Sequence, residues 1–333
     1  MSETIHIIIP SSDWYMPYTL VLITSILSNK NEGDDIFIHI ISEDLSDKYL
    51  ECLECMKSNW AFRYEIKKVN RALISKIQPS VLERCPNICN YKLFISSLFD
   101  FDKAIVLEGD MIVLKSLGDL FKTPMEDCPM GAVKDPVCNE CQDTLEIPNE
   151  YRYCNTGMFL ANLDYWRKEN CQNEFVKNAE KYKNKMCYPD QDIFNITFYK
   201  KMKYLPLQYN VYASVRRDNF LEERKEAYKD PIIIHWADYR KPWDYPEIRS
   251  ANAFWKYARI SPCYEIILSR MKNNIFDEGL KNEIRLFVAK YIRERKKISH
   301  KLFLRRIKYA IFHRKKDKAR IERLKDQLGE YND

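Results

Sequence analysis

Residues 5–9 form an apolar run that Pro10 closes, the pattern of a strand buried on both faces of a parallel sheet. Between 18 and 27 the apolar positions recur at helical spacing, and residues 36–41 return to a strand-like run. Residues 46–56 predict a second helix with Tyr49, Leu50, Leu53 and Met56 on one side, and Phe62, Tyr64 and Ile66 alternate as a strand does. A helix-like stretch over 91–99 leads into the apolar run 104–107. Such alternation predicts a mostly parallel sheet with helices on both faces. Ligands of such sheets gather at the carboxyl ends of the strands.

The second half is less regular. Residues 111–114 make another apolar run, and 123–152, rich in Pro, Asp and Cys, reads as loops. Further strands are expected at 158–161, 204–206 and 232–235, and from about 250 the pattern is helical to the end. There is no internal repeat. The organisation expected is an α/β domain over 1–250 and a helical, basic extension over 251–333.

Candidate chemistry collects where these elements end. In AIVLEGDMIVL, Glu108, Gly109 and Asp110 interrupt two apolar runs. Two carboxylates at a strand end suit either a solvated turn or a hard divalent cation serving a diphosphate. CNTGMFLANLDYWRK places Asn155 and Gly157 just before a strand, and PDQDIFN packs Asp190, Gln191 and Asp192 at a helix start. Helix capping accounts for Asp190 or Asp192 but not for Gln191. IIIHWADYRKPW ends a strand on His235, a structural residue or a ligand, and then supplies Lys241.

Only seven glycines occur, and none forms a G-x-G-x-x-G or Walker A loop, which excludes a dinucleotide fingerprint and a P-loop. A phosphate ligand would therefore depend on a metal and on cations. With 46% hydrophobic residues in 333, the chain is a globular protein. Eleven scattered cysteines, no secretory pattern, and an uncharged stretch at 14–29 too short for a span imply reduced thiols and a cytoplasmic address. Cys52-x-x-Cys55 and Cys138-x-x-Cys141 have zinc-like spacing, against the alternative that they pack as small apolar side chains. The net charge of +6 conceals an asymmetry: residues 281–320 hold 16 Lys and Arg against 3 Asp and Glu, leaving −7 for the rest.

Taken in order, IIIPSSDWYMPYTLVLITSIL, NYKLFISSLFDFDKAIVLEGDMIVL, NTGMFLANLDYW, PDQDIFN and HWADYRKPW resemble the retaining glycosyltransferases of family 8. That family includes lipopolysaccharide galactosyl- and glucosyltransferases and glycogenin, and the resemblance covers about residues 4–250. It implies a GT-A fold, a Rossmann-like nucleotide-binding sheet with flanking helices. It also implies hexose transfer, glucose or galactose, from a UDP-sugar to a saccharide or lipid-linked saccharide, as in bacterial lipopolysaccharide, capsule or other surface glycans. Ser12, Asp13 and Tyr15 would border the nucleotide, and Lys92 stands where an Arg usually lies near the diphosphate. Glu108 and Asp110 match the metal-binding D-x-D, His235 the third ligand of Mn²⁺ (or Mg²⁺). Asn155, Asp190 and Gln191 would line the donor sugar as Lys241 meets the diphosphate, with Asp190 and Gln191 the catalytic pair. Three positions depart from the pattern: Glu108 for Asp, Lys92 for Arg and Asp238 for Gly.

Over 284–311, apolar residues at helical spacing among Lys and Arg suit an anionic membrane surface, or a helix packed on the body. The expectation is peripheral attachment at the inner face of the cell membrane. The alternatives are a catalytically weakened sugar-nucleotide binder and an anionic-surface or nucleic-acid binder acting through the tail, although no nucleic acid is expected.

Overall fold

The computed structural model describes residues 3–69, 87–136, 139–213, 221–238 and 240–276. Among them lie ten strands: β1 (Ile5–Pro10), β2 (Ile36–Ser42), β3 (Arg63–Lys68), β4 (Lys103–Leu107), β5 (Met111–Val113), β6 (Met130–Lys134), β7 (Cys154–Asn162), β8 (Lys203–Tyr204), β9 (Val211–Tyr212) and β10 (Ile233–His235). Seven form a sheet in the order β3-β2-β1-β4-β7-β6-β8, and β5-β10-β9 form a second one. In the large sheet only β7 runs against its neighbours β4 and β6; every other pairing is parallel. The expectation of a mostly parallel α/β sheet holds.

Strand alternation sorts the core into two layers. Ile7, Ile9, Ile38, Ile40, Ile105 and Leu107 pack with the helices Met16–Asn29 and Ala251–Ala258. Ile8, Ile41, Val106 and Phe159 pack with Trp166, Phe175 and Phe194 from the helices Leu163–Lys168, Cys171–Tyr182 and Pro189–Phe198. The central strands β1, β2 and β4 therefore bury both faces, which is why their sequences read as nearly continuous apolar runs.

Two readings need correction. The segment 123–152 is not all loop: it contains β6 and the short helix Asn139–Thr144. Asn155 and Gly157 lie inside β7, not before it. In both places polar or small residues occupy buried strand positions near the site, where hydrophobic patterning is blind.

The order of strands puts a switch point between β1 and β4, because the chain runs outward from β1 to β3 and returns on the other side. Here it also changes sheets. After β4 the chain passes through Glu108-Gly109-Asp110 into β5, which the helix Met16–Asn29 holds: Ser25 Oγ accepts the Val113 amide (2.9 Å) and Asn29 donates to the Val113 carbonyl (3.0 Å). β10 pairs antiparallel to β5 with His235 opposite Met111.

Contacts divide the chain into Met1–Ile267 and Leu268–Asp333; of the second, residues 268–276 are described and are helical. The basic amphipathic stretch lies outside the described residues. No helix among the described residues is long and apolar enough to cross a membrane.

Candidate active site

At the junction of the two sheets, Glu108, Asp110 and His235 each present a ligand atom within 4.8 Å of the others, the one such group among the described residues. Backbone bonds set them there. The Glu108 amide donates to the Gly157 carbonyl of β7 (2.9 Å), and the Trp236 amide to the Asp110 carbonyl (3.1 Å). His235 Nδ1 is paired with Asn210 Oδ1 at 2.9 Å. Nε2 of the same ring and Asp110 Oδ1 are buried without a hydrogen-bond partner. Buried polar atoms left unpaired cost free energy unless a ligand satisfies them. Two oxygens and an imidazole nitrogen are a suitable donor set for Mn²⁺ or Mg²⁺, so these residues fit a divalent ion.

Two glycines make the junction possible. A β-carbon on Gly157 would lie 2.5 Å from His235 Cε1 and 2.8 Å from Glu108 Oε2. One on Gly109 would lie 2.6 Å from Thr19 Oγ1 and 2.9 Å from Tyr15 Cδ1.

Two lysines balance the acids. Lys241 Nζ is 2.6 Å from Asp110 Oδ2 and donates to the Trp236 carbonyl at 2.5 Å. Burial would raise the Asp110 carboxyl, but Lys241 and His235 prevail and hold it well below the usual carboxylate range. Lys92 is wholly buried, 2.6 Å from Glu108 Oε1 and 2.6 Å from Asp190 Oδ2. Burial would depress its ammonium, yet Asp190 and Glu108 together hold it well above the ordinary lysine value.

A polar network extends from the triad. Asn210 Nδ2 donates to Asn155 Oδ1 (2.7 Å), and Asn155 Nδ2 donates to Gln191 Oε1 (2.9 Å). Gln191 Oε1 also accepts the Thr156 amide (3.0 Å), and its Nε2 donates to Asp135 Oδ2 (3.3 Å). Tyr212 hydroxyl donates to the same Asp135 oxygen at 2.9 Å. At the start of the helix Pro189–Phe198 the acids divide their labour: Asp192 accepts the amides of Cys187 (2.6 Å) and Tyr188 (2.9 Å), while Asp190 turns to Lys92.

The predicted residues thus converge unevenly. Glu108, Asp110, His235, Lys92, Lys241, Asn155, Asp190 and Gln191 form one connected cluster. Tyr15 touches it: burial, then Asp110 and Glu108, push its phenol well above the ordinary value. Ser12 and Asp13 follow β1 at the same sheet end, where Asp13 accepts the Ser46 amide (2.7 Å). Asp238 lies 3.3 Å from the Arg240 guanidinium. Asp135, Asn210 and Tyr212 escaped the sequence reading; GAVKD, an apolar run ending in an acid as IVLEGD does, was the available signal for the first. The first cysteine pair makes no such cluster among the described residues, since Cys52 Sγ faces Cys263 Sγ at 3.8 Å and Cys55 is exposed; Cys138 of the second pair lies outside the described residues.

The sheet order, with its cluster of acids, histidine and lysines at the switch point, matches the GT-A fold of solved glycosyltransferases. The solved galactosyltransferase LgtC, in complex with donor and acceptor sugar analogues, shares the fold over 78% of this chain and 96% of that one, with TM-score 0.69 and 21% identity. The bifunctional glycosyltransferase WbbM superimposes with TM-score 0.68 at 22% identity over 82% of this chain, which spans 52% of WbbM. The chain belongs to glycosyl transferase family 8, whose profile matches residues 6–247. It is 26% identical over 273 residues to the lipopolysaccharide 1,2-glucosyltransferase of Escherichia coli, covering 78% of this chain and 79% of that one.

Proposed function

We propose that this glycosyltransferase moves glucose or galactose from a UDP-sugar, with retention of configuration, to a saccharide or lipid-linked saccharide of a bacterial surface glycan. The observation that carries the reading is the pair of unsatisfied buried atoms, Asp110 Oδ1 and His235 Nε2, joined through Asn210 to the amide network of Asn155 and Gln191. Asp110, His235 and Glu108 would hold Mn²⁺ or Mg²⁺. Bound there, the ion would stabilise negative charge on the departing diphosphate.

The remaining work falls to side chains. Lys241, ion-paired with Asp110, would add a second positive charge toward a diphosphate bound at that ion. Tyr15, Ser12 and Asp13 would border the base and ribose. Asp190 and Asn155 would fix sugar hydroxyls, and Gln191, its amide held at both ends, would polarise the anomeric centre. An amide is a weak nucleophile, so attack by the acceptor hydroxyl from the leaving-group side accounts for retention better than a covalent intermediate does. The basic stretch beyond 280 would keep the enzyme at the inner face of the membrane, where a lipid-linked acceptor is found.

A thermal-shift screen of UDP-sugars with and without Mn²⁺ tests the donor class: stabilisation by one UDP-hexose, only with the metal, is expected. Equal shifts for every nucleotide sugar, or none, would count against it. Flotation of full-length and 281-truncated chains with anionic vesicles tests the tail, and equal recovery would defeat membrane attachment.

A further inference from the structure

Lys92 Nζ donates to Glu108 Oε1 at 2.6 Å and to the Thr156 carbonyl at 3.1 Å, and is ion-paired with Asp190 Oδ2 at 2.6 Å. It is fully buried. The ammonium is enclosed by these three groups, which hold it between Glu108 and Asp190.

Glu108 is equally constrained. Its amide is tied to the Gly157 carbonyl, and its side chain lies over the space that Gly157 leaves free. One carboxylate oxygen meets Lys92, while the other, Oε2, is 3.8 Å from His235 Nε2 and faces the cluster with Asp110.

We propose that Lys92 is a positioning residue, a buried strut that turns Glu108 into a two-sided ligand with Oε1 on the ammonium and Oε2 on the cation, the two side chains being matched in length. The proposal rests on the metal reading of this site. Removing one methylene from Glu108 withdraws its carboxylate by about 1.5 Å, one C–C bond, beyond hydrogen-bond reach of a fixed Lys92. A longer cation at 92 closes that gap. Two of the three departures from the family motif, Glu108 and Lys92, thus meet in one ion pair and offset each other. Asp190 anchors the far side of the strut, so the same ammonium braces the metal side and the sugar side of the cleft.

Mn²⁺ titration calorimetry on the full chain, without nucleotide, tests this, with apo-protein melting temperature as a second readout. Glu108→Asp is expected to weaken Mn²⁺ binding by roughly 10–100-fold, the usual effect of a misoriented ligand shell. Lys92→Arg alone, overfilling a closed site, is expected to lower the melting temperature and weaken binding. The double variant Glu108→Asp/Lys92→Arg is expected to return to within about threefold of wild type, on the same affinity scale, and to a near-wild-type melting temperature. A double variant that binds no better than Glu108→Asp, or a Glu108→Asp protein that binds as wild type does, overturns the strut. Asp110→Ala separates the two readings. If wild type binds Mn²⁺ and Asp110→Ala does not, a failed rescue removes the strut alone. If wild type binds none, the metal reading falls and takes the strut with it.

Discussion

His235 Nε2 and Asp110 Oδ1 face each other at 3.4 Å, buried, and neither has a hydrogen-bond partner. The opposite edge of each group is occupied: Asn210 orients the imidazole through Nδ1, and Lys241 engages Asp110 Oδ2. Orientation from behind, with the unpartnered atoms turned toward each other, is the usual arrangement of metal ligands, whose outer partners fix tautomer and direction.

Asp110→Asn and His235→Ala are therefore expected to abolish Mn²⁺-dependent thermal stabilisation and to lower donor hydrolysis by on the order of 10²–10³-fold. Asn210→Ala should act through His235, weakening Mn²⁺ binding by roughly tenfold because the ring loses its orienting partner. Calorimetry on the three variants distinguishes them, and unchanged Mn²⁺ affinity in His235→Ala would falsify the ligand assignment.

Gly157 is where β7 passes beneath the site. An added methyl would enter the space of His235 Cε1 and Glu108 Oε2, both at the ends of side chains rather than on the backbone. Gly157→Ala should thus fold with a loss of about 1–3 kcal/mol, read by urea denaturation, while Mn²⁺ binding falls disproportionately. A variant with wild-type Mn²⁺ affinity would show that the triad does not need this clearance.

The centre of the large sheet was legible because β1, β2 and β4 are buried on both faces: the runs at 5–9, 36–41 and 104–107 are short and rich in Ile and Val, as buried strands are. Glu108-Gly109-Asp110 was legible as a candidate, and the ordered motifs favoured the ligand reading over the turn. Asp135 was hidden because β6 is five residues, MGAVK, with a glycine inside and turn formers on both sides. Asn210 and Tyr212 flank or occupy a two-residue strand, too short for any period to show. The surroundings of Lys92 depend on Asp190, which tertiary packing brings from the far end of the chain's αβ core, and no local pattern encodes that contact.

Asp192 is buried at the start of its helix, and burial pushes its carboxyl up to about 6 despite bonds from the Tyr153 hydroxyl and the amides of Tyr188 and Cys187. A carboxyl raised in the folded state binds more protons there than in the unfolded chain between its ordinary value and about 6. Its contribution is complete below the ordinary value and is lost as pH rises through 6. Asp192→Asn keeps the amide bonds and does not titrate. Relative to that variant, wild type should lose up to about 3 kcal/mol between pH 4 and 7, measured by urea midpoints. A difference independent of pH would show that the carboxyl is not raised.

A chain of ring nitrogens at the other end of the strands should act in the opposite direction. His39 Nδ1 lies 2.6 Å from Glu65 Oε1, and His6 Nδ1 lies 2.8 Å from His39 Nε2. With Glu65 as acceptor, His39 donates from Nδ1 and accepts at Nε2, which makes His6 Nδ1 the donor of the second bond. The His6 ring is stacked on Phe101 with centroids 3.8 Å apart. Burial lowers His6 to about 4, aided by His39 and Arg63 and opposed by Asp35 and Glu65. Burial likewise lowers His39, with Glu65 working against it. A histidine depressed in the folded state stabilises fully above its unfolded value near 6.5, and that stability is lost as pH falls toward 4. His6→Asn preserves a donor toward His39 but cannot titrate. Wild type should therefore lose more stability than His6→Asn between pH 7 and pH 4.5, as urea midpoints at the two values will show. Equal losses in the two proteins would place the acid sensitivity elsewhere than in His6.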